Sequence, residues 1–192
     1  MRTLRTPRLR LVPVTQRNAA ELWHVLQQPD LRAYQDLPSV GVAAFEGMVG
    51  RRPPRLIEGA AGRFEWLVYM HRSRRALGWV SLRVSAGEPG AAEIGYSVVR
   101  EFRARRIATE AVSALIDEGF TSAGLSLVRA YCVPENDASR RVLERLGFTR
   151  ESVLPRGASV SGRPVDVLSY VLAQERWDRN AEIDPTAATA HS

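Results

Sequence analysis

The chain of 192 residues is long enough for one domain with a sizeable core, and its 45% apolar and 25% charged residues are typical of a globular protein. Its net charge of +6 rests on 27 basic residues, all of them arginine, so the absence of lysine excludes Schiff-base chemistry and a lysine general base. Cys132 is the single cysteine, which excludes an internal disulfide framework and a cysteine metal cluster.

The remaining bulk features narrow the class of protein further. No apolar run is as long as a membrane span, and the opening MRTLRTPRLRLVPVT lacks the apolar region of a signal peptide. We therefore expect a cytoplasmic protein without a membrane partner. His24 and His71 have no partners at metal-ligand spacing, so we assign no metal. Net charge alone favours nucleic acid, but no aromatic platform accompanies it, and we expect local anion binding and no nucleic acid partner.

The first half of the chain predicts one strand, two helices and then three strands. LRLVPV at 9–14 alternates as a strand does, and Thr15 can cap a helix that runs to Leu26. A weaker helix is predicted around 43–49. Three strand-like segments separated by turns then predict an antiparallel meander, at 64–71, 76–84 and 91–99.

The second half alternates helices and strands. The strongest helical pattern covers 107–120, a compact strand candidate covers 127–133, and a helix at 137–146 follows Asn136, which suits the N-cap. FTRESVL and PVDVLSYVL supply two last strands. The polar end, 179–192, predicts a disordered tail, which leaves a single domain over 1–178. This order of elements predicts an α/β protein with a mixed sheet and helices on both faces.

One stretch, REFRARRIATEA at 100–111, combines a basic turn with the start of the strongest helix. It holds four arginines within seven residues. A basic turn that opens a helix is a typical phosphate site, because the unpaired N–H groups and the positive end of the helix dipole favour an anion. Phosphate turns are normally rich in glycine, however, and this one has none. A phosphate site, a solvated basic turn and a site that has lost its function all stay open.

Two units of the sequence resemble the GNAT superfamily of acyl-CoA-dependent N-acetyltransferases, and they are closest to its RimJ/RimL type. The first is AEIGYSVV–REFRARR–IATEAV and the second is RAYCVPENDASRRVLERLGF. With TPRLRLVPVT and VDVLSYVLAQERW the resemblance spans about residues 3–178. It implies a central, mostly antiparallel twisted sheet of about seven strands, acetyl-CoA as co-substrate, and acetylation of a protein N-terminus or a small-molecule amine.

The resemblance places the pyrophosphate of CoA in the basic turn. The family's loop reads Gln or Arg, two residues, Gly, one residue, then Gly or Ala. Arg103 and Ala108 match, whereas Arg106 replaces the central glycine and Ala104 another frequent glycine. Arg106 can swing outward and leave the N–H groups free, contact phosphate itself, or weaken binding; we favour the second outcome. The implied loop residues are Arg103, Ala104, Arg105, Arg106, Ile107, Ala108 and Thr109.

The resemblance also implies roles along the strand at 91–99 and the helix at 137–146. Backbone groups of Val98 and Val99 would pair with the pantetheine arm, and Asn136 would contact the same arm. The tyrosine that many GNAT enzymes use to protonate the leaving thiolate is replaced by Leu143. Ser139 is the substitute that the RimJ/RimL type suggests, or else a residue that closes the helix cap.

For the amine, Glu93 shares a strand face with Gly95 and Ser97 and can accept a proton directly or through water. A partly exposed structural glutamate is the other interpretation. The acceptor would lie against 23–60 and 154–164, where several arginines suggest either an anionic acceptor or a solvated basic rim: Arg32, Arg51, Arg52, Arg55, Arg156 and Arg163.

An N-acetyltransferase acting by direct attack in a ternary complex is the leading hypothesis for the function. A non-catalytic CoA- or anion-binding sensor with the same fold is the alternative. A homodimer stays an open alternative to a monomer.

Overall fold

A computed structural model of the chain describes residues 1–31, 34 and 39–183. Its centre is an eight-stranded sheet in the order β1-β2-β3-β4-β5-β6-β8-β7. The strands are β1 (Leu4–Arg5), β2 (Leu9–Pro13), β3 (Gly62–Met70), β4 (Gly78–Val84), β5 (Ala91–Val98), β6 (Leu127–Cys132), β7 (Thr149–Val160) and β8 (Arg163–Ala173).

Five α-helices cover the sheet. They are α1 (Ala19–Leu26), α2 (Val42–Gly50), α3 (Ile107–Ala123), α4 (Asp137–Arg145) and α5 (Gln174–Ile183). The pair α1 and α2 packs on one face, around buried side chains that include Leu67 and Trp79. The helices α3 and α4 pack on the other face, around a larger core that includes Phe64, Trp66 and Val68.

Strand β3 explains why both faces carry helices. Six consecutive side chains from Phe64 to Tyr69 are buried. Because successive side chains of a strand point to opposite faces of the sheet, β3 has buried apolar groups on both faces. Burying both faces removes apolar surface that one layer of helices would leave in water. The sheet is therefore the middle of three layers.

The strand pairing is antiparallel throughout except at one place. Strand β5 runs parallel to β6, and the connection between them is the helix α3. A parallel neighbour needs such a crossover, because the chain must return to the same end of the sheet.

The predicted order of helices and strands is confirmed from β2 to β8, and the structure adds two elements that the sequence patterns did not predict, β1 and α5. The sheet has eight strands in place of about seven. The additional strand, β1, has two residues, which is too short to produce an alternating pattern. The last helix reaches Ile183 and so includes the start of the predicted tail, whose residues 184–192 lie outside the described part of the chain. Within the described residues, no helix has the length and apolar character needed to cross a membrane.

Gly78 lets β4 approach β5 closely at the end of the meander. A Cβ at this position would lie 2.0 Å from the backbone oxygen of Ser97, whereas one at Gly87 would lie no nearer than 3.9 Å, to Ser85 Oγ. We expect Gly78→Ala to lower the free energy of unfolding by about 3 kcal/mol, because backbone must move to accommodate the methyl group. Gly87→Ala is the matched control, with a change within ~0.5 kcal/mol. Urea unfolding of both variants measures the difference, and equal stabilities would contradict the close approach.

Candidate active site

Strands β5 and β6 diverge and open a gap in the sheet. Their parallel ladder ends at the pair Ile94 and Ala130. Beyond it, β5 stays paired with β4 as far as Val98, and β6 stays paired with β8 as far as Cys132. Each strand therefore keeps its outer neighbour and loses its inner one, which leaves backbone groups directed into the gap.

The backbone of Val98 faces this gap, whereas that of Val99 does not. The N–H of Val99 donates to the carbonyl of Leu77 at 2.8 Å, so Val99 belongs to the β4 side. Since successive residues of a strand direct their backbone groups to opposite sides, those of Val98 point toward β6. Its carbonyl accepts a bond of 2.8 Å from Arg103 Nε, which brings the basic loop onto the edge of the gap.

A cleft of about 1140 Å³ joins the gap to the loop. It brings together most of the site residues predicted from the sequence: Glu93, Val98, Arg103, Ala104, Arg106, Ile107, Ala108, Thr109, Asn136 and Ser139. Val99 and Arg105 do not line it. Val99 is buried against β4, and the Arg105 guanidinium lies over the ring of Phe102, 5.5 Å from its centroid.

The basic loop keeps a glycine-like backbone without glycine. Ala104 has φ +59° and Arg106 has φ +60°, the left-handed conformation that costs a residue with a side chain about 1–2 kcal/mol. These are the two positions at which the family pattern has glycine. The turn thus has the backbone path that glycine would give, and the side chains of Ala104 and Arg106 are exposed at the cleft.

The start of α3 offers unpaired N–H groups to this cleft. The first helical bond runs from Glu110 N–H to the Arg106 carbonyl at 3.1 Å, and no side chain caps the helix. The N–H groups of Ile107, Ala108 and Thr109 consequently have no partner within the helix. Together with the positive end of a helix of 17 residues, they form an anion-binding position.

Contacts from the turn between β1 and β2 hold the loop in place. Arg8 Nε donates to Glu110 Oε2 at 2.6 Å, and Arg8 Nη1 donates to the Arg105 carbonyl at 3.0 Å. Thr6 Oγ1 also donates to Glu110. The Glu110 carboxylate therefore has a structural role, since it anchors the first turn of α3 to this turn.

Helix α4 forms the opposite wall. The side chain of Asn136 caps it by accepting a bond of 3.1 Å from the backbone N–H of Ser139. Arg141 and Arg145, one helical turn apart, line the cleft. Asp137 lines it as well and pairs with Arg140, which does not. Arg141 and Arg145 thus add to the positive charge of Arg103 and Arg106 at the mouth.

The hydroxyl of Ser139 meets the phenol of Tyr96 inside the cleft. Their oxygens are 2.8 Å apart, and either hydroxyl can donate. Burial raises the pKa of Tyr96 well above its ordinary value, so the phenol stays protonated. Leu143, the position of the family's usual tyrosine, is fully buried in the core. The phenol near Ser139 therefore comes from β5 and not from α4.

Cys132 lines the same part of the cleft. Burial raises the pKa of its thiol, which disfavours the thiolate at neutral pH. A protonated thiol is a weak nucleophile, and no histidine lines the cleft among the described residues. A covalent acyl-enzyme at Cys132 is accordingly disfavoured.

Four charged residues on the α1–α2 side of the sheet form the floor of the cleft: Arg52, Arg63, Glu65 and Glu93. Arg83 lies beside them without lining the cleft, and we call these five residues the floor cluster. Strand register sets three of them side by side, Arg63 opposite Arg83 and Arg83 opposite Glu93. Glu93 pairs with Arg83, and the buried Glu65 pairs with Arg52 and, at 3.5 Å, with Arg63.

Sequence patterns miss three of these residues, Arg63, Glu65 and Arg83, and one of them leaves a signal. Glu65 is a single acidic residue within the otherwise apolar strand core FEWLV, and such a residue is rarely buried without a cationic partner. Arg63 leaves no such signal in the sequence, because its position opposite Arg83 depends on the register of β3 and β4. Of the arginines at 23–60, Arg32 lies outside the described residues and Arg52 reaches the cleft. No group of three metal-ligating His, Cys, Asp or Glu side chains was found among the described residues.

Comparisons with known proteins agree with this geometry. The sequence model of the acetyltransferase (GNAT) domain matches residues 8–149. The N-acetyltransferase p20 of Bacillus licheniformis is 32% identical over 92% of this chain and 99% of its own length. Mycobacterium smegmatis RimJ, solved with a CoA disulfide, has a TM-score of 0.77 at 24% identity and covers 98% of this chain and 94% of its own. The ribosomal-protein-S5-alanine acetyltransferase of Vibrio fischeri has a TM-score of 0.80 at 18% identity, with 92% and 99% covered. The chain belongs to the GNAT family of acetyltransferases.

Proposed function

We propose that the protein transfers an acetyl group from acetyl-CoA to a primary amine, by direct attack of the amine on the thioester in a ternary complex. The observation that carries this proposal is the continuity of the cleft, which runs from the α3 N-terminus through the β5–β6 gap to the floor cluster. Its volume of about 1140 Å³ exceeds the ~300–1,000 Å³ usual for one ligand, so two substrates have room together.

The residues at the mouth suit the phosphates of CoA. Three helical N–H groups point outward at the start of α3, and Arg103, Arg106, Arg141 and Arg145 surround them. Guanidinium groups bind phosphate in a bidentate manner and stay charged at any physiological pH. Two neighbours of the same fold support this end of the proposal, since RimJ was solved with a CoA disulfide and the MccE acetyltransferase with acetyl-CoA.

The gap suits the pantetheine arm and the thioester. The N–H of Val98 faces the gap, where it can donate to the arm or polarise the thioester carbonyl. Asn136 reaches the same region, although its side-chain oxygen already accepts the Ser139 N–H. This assignment retains Val98 and gives Val99 a supporting role, because the N–H of Val99 holds β5 against β4.

Ser139 and Tyr96 would stabilise the leaving thiolate by hydrogen bonding. When Tyr96 donates to Ser139 Oγ, the serine proton is free to donate to the CoA sulfur. The raised pKa of Tyr96 means that the pair stabilises the thiolate by hydrogen bonding rather than by complete proton transfer. Ser139 would be the residue in contact with sulfur, and Tyr96 a positioning residue behind it.

Glu93 would receive the proton of the attacking amine. It lines the cleft on the acceptor side, and its carboxylate pairs with Arg83. Because the carboxylate is already engaged with a guanidinium, a water molecule would relay the proton to it. Two neighbours of the same fold are a ribosomal-protein-S5-alanine acetyltransferase and a ribosomal L7/L12 alpha-N-protein acetyltransferase, which supports a peptide N-terminus as one candidate amine.

Two arguments for the sensor alternative are weaker in the folded chain. The first was the absence of glycine from the basic loop, yet Ala104 and Arg106 adopt the conformation that glycine would supply. A second argument was the absence of a hydroxyl at Leu143, whereas the phenol of Tyr96 on β5 lies 2.8 Å from the Ser139 hydroxyl.

Binding of CoA is the first test of this function. We expect CoA at a hundredfold excess over its Kd to stabilise the native protein by about 2.7 kcal/mol, which a thermal-unfolding series resolves. Thiol release from acetyl-CoA with a panel of primary amines then measures transfer. A protein that millimolar CoA does not stabilise would contradict the proposal.

A second prediction concerns Ser139 and Tyr96. Ser139→Ala removes only the hydroxyl, since the helix cap uses the backbone N–H. We expect kcat to fall about 10–100-fold, the value of a lost hydrogen bond to a charged sulfur. Tyr96→Phe should lower kcat by about tenfold, with the Kd of CoA unchanged in both variants. Loss of CoA affinity in proportion to kcat would point to a structural role instead.

A third prediction separates the effect of the left-handed backbone on stability from the effect of the Arg106 side chain on CoA binding. Arg106→Gly should raise the free energy of unfolding by up to ~1 kcal/mol, because it relieves a left-handed residue. The same change should raise the Kd of CoA about tenfold through loss of a guanidinium–phosphate contact. Ala104→Gly is the matched control, with a similar gain in stability and unchanged affinity. Tighter CoA binding by Arg106→Gly would show that the arginine obstructs the site.

A further inference from the structure

The floor cluster contains more positive than negative charge. Three guanidinium groups, Arg52, Arg63 and Arg83, face the two carboxylates of Glu65 and Glu93. Arg63 and Arg83 are directly opposite each other on neighbouring strands. Like charges in that position destabilise a sheet, so the arrangement is costly for the fold alone.

Each of the two carboxylates has a guanidinium partner other than Arg63. Glu65 is 2% exposed and contacts Arg52, whose side chain is itself mostly buried. Glu93 contacts Arg83. Among the described residues, the one carboxylate contact of Arg63 is the bond of 3.5 Å to Glu65, and its side chain is 45% exposed. Arg63 lines the cleft, so its guanidinium is accessible to a ligand there.

The surroundings of Arg63 favour an added anion. Burial, followed by the charge of Arg83, lowers the pKa of Arg63, and Glu93 opposes this effect. Burial and the charge of Arg63 lower the pKa of Arg52 to about 10. A carboxylate placed between these groups would offset the repulsion that both guanidinium groups experience.

The position of Arg63 separates it from the phosphates of CoA. Strand pairing places Arg63 level with Arg83 on β4 and with Glu93 on β5. Glu93 is five residues before Val98, so these two positions are ~17 Å apart along β5. Arg63 is also two strands away from β5, or ~10 Å across the sheet. One ligand phosphate group cannot bind both the α3 N-terminus and Arg63, so a second anion is needed.

We propose that the acceptor is an amine that also carries a carboxylate, and that Arg63 binds this carboxylate on the floor of the cleft. The inference rests on the proposed function, because it names the class of amine that is acetylated. A net positive floor attracts the carboxylate and also disfavours the ammonium form of the nearby amine. Direct attack needs the neutral amine, so the same charge serves recognition and reactivity.

The test uses product-like acids, which bind without turnover. The probes are N-acetylglycine, N-acetyl-β-alanine and N-acetyl-γ-aminobutyrate, each paired with its carboxamide, titrated by calorimetry into protein saturated with CoA. We expect at least one acid to bind tenfold more tightly than its amide. Arg63→Met should abolish that difference, and Arg63→Lys should retain part of it because the charge remains.

The controls separate the two proposals. Arg72→Met removes the same charge from an exposed turn and should leave the preference unchanged. Affinity for CoA, measured in the same titrations, should not differ between wild type and Arg63→Met. Equal binding of every acid and its amide, or no binding of either, would overturn the carboxylate proposal while CoA binding still supports the acetyltransferase. Failure to bind CoA would overturn the acetyltransferase itself.

Discussion

The divergence of β5 from β6 is the constraint on which the site depends. Both strands are held firmly by their outer neighbours, β5 by β4 through the bond from Val99 to Leu77 and β6 by β8 along its whole length. Neither can turn to close the gap without breaking those ladders. Unpaired backbone groups inside a sheet are costly unless a ligand or water satisfies them, so the gap favours a ligand with hydrogen-bonding groups. The amide-bearing arm of the proposed acyl-CoA has such groups.

In the basic loop, residues with side chains adopt a backbone conformation that glycine usually supplies. Ala104 and Arg106 occupy left-handed positions that favour glycine. The anchoring contacts of Arg8 and the start of α3 offset the conformational free energy that this costs. Strain of this kind persists where the surroundings fix the chain, and it gathers at functional sites. Arginine at such a position brings a charge to the mouth of the cleft that glycine cannot.

Much of the fold could be predicted because its signals are local. Alternation in LRLVPV, the turn residues of the meander and the Asn136 cap each depend on neighbours in sequence. Other features depend on tertiary placement. Ser139 on α4 comes near the phenol of Tyr96 because the fold brings β5 next to that helix, and no spacing in the sequence encodes the 2.8 Å contact. Likewise Arg63 stands opposite Arg83 only through the register of β3 and β4, so the floor cluster could not be read from either segment alone.

The distribution of charge along the cleft matches the chemistry proposed for each part. The mouth holds exposed arginines, where attraction is strong at long range and weakened by salt, which suits the capture of a polyanion. The floor holds arginines partly buried against carboxylates, where geometry decides which ligand fits. Between them the lining is uncharged, with Tyr96, Ser139 and Cys132 all neutral at physiological pH. A neutral amine and a thioester react most readily in such a region, because no fixed charge stabilises the ammonium form and hydroxyl groups still reach the departing sulfur. Since the chain has no lysine, every cationic side chain among the described residues of the cleft is a guanidinium, which is charged at physiological pH, and proton transfer is left to carboxylates, hydroxyls and water.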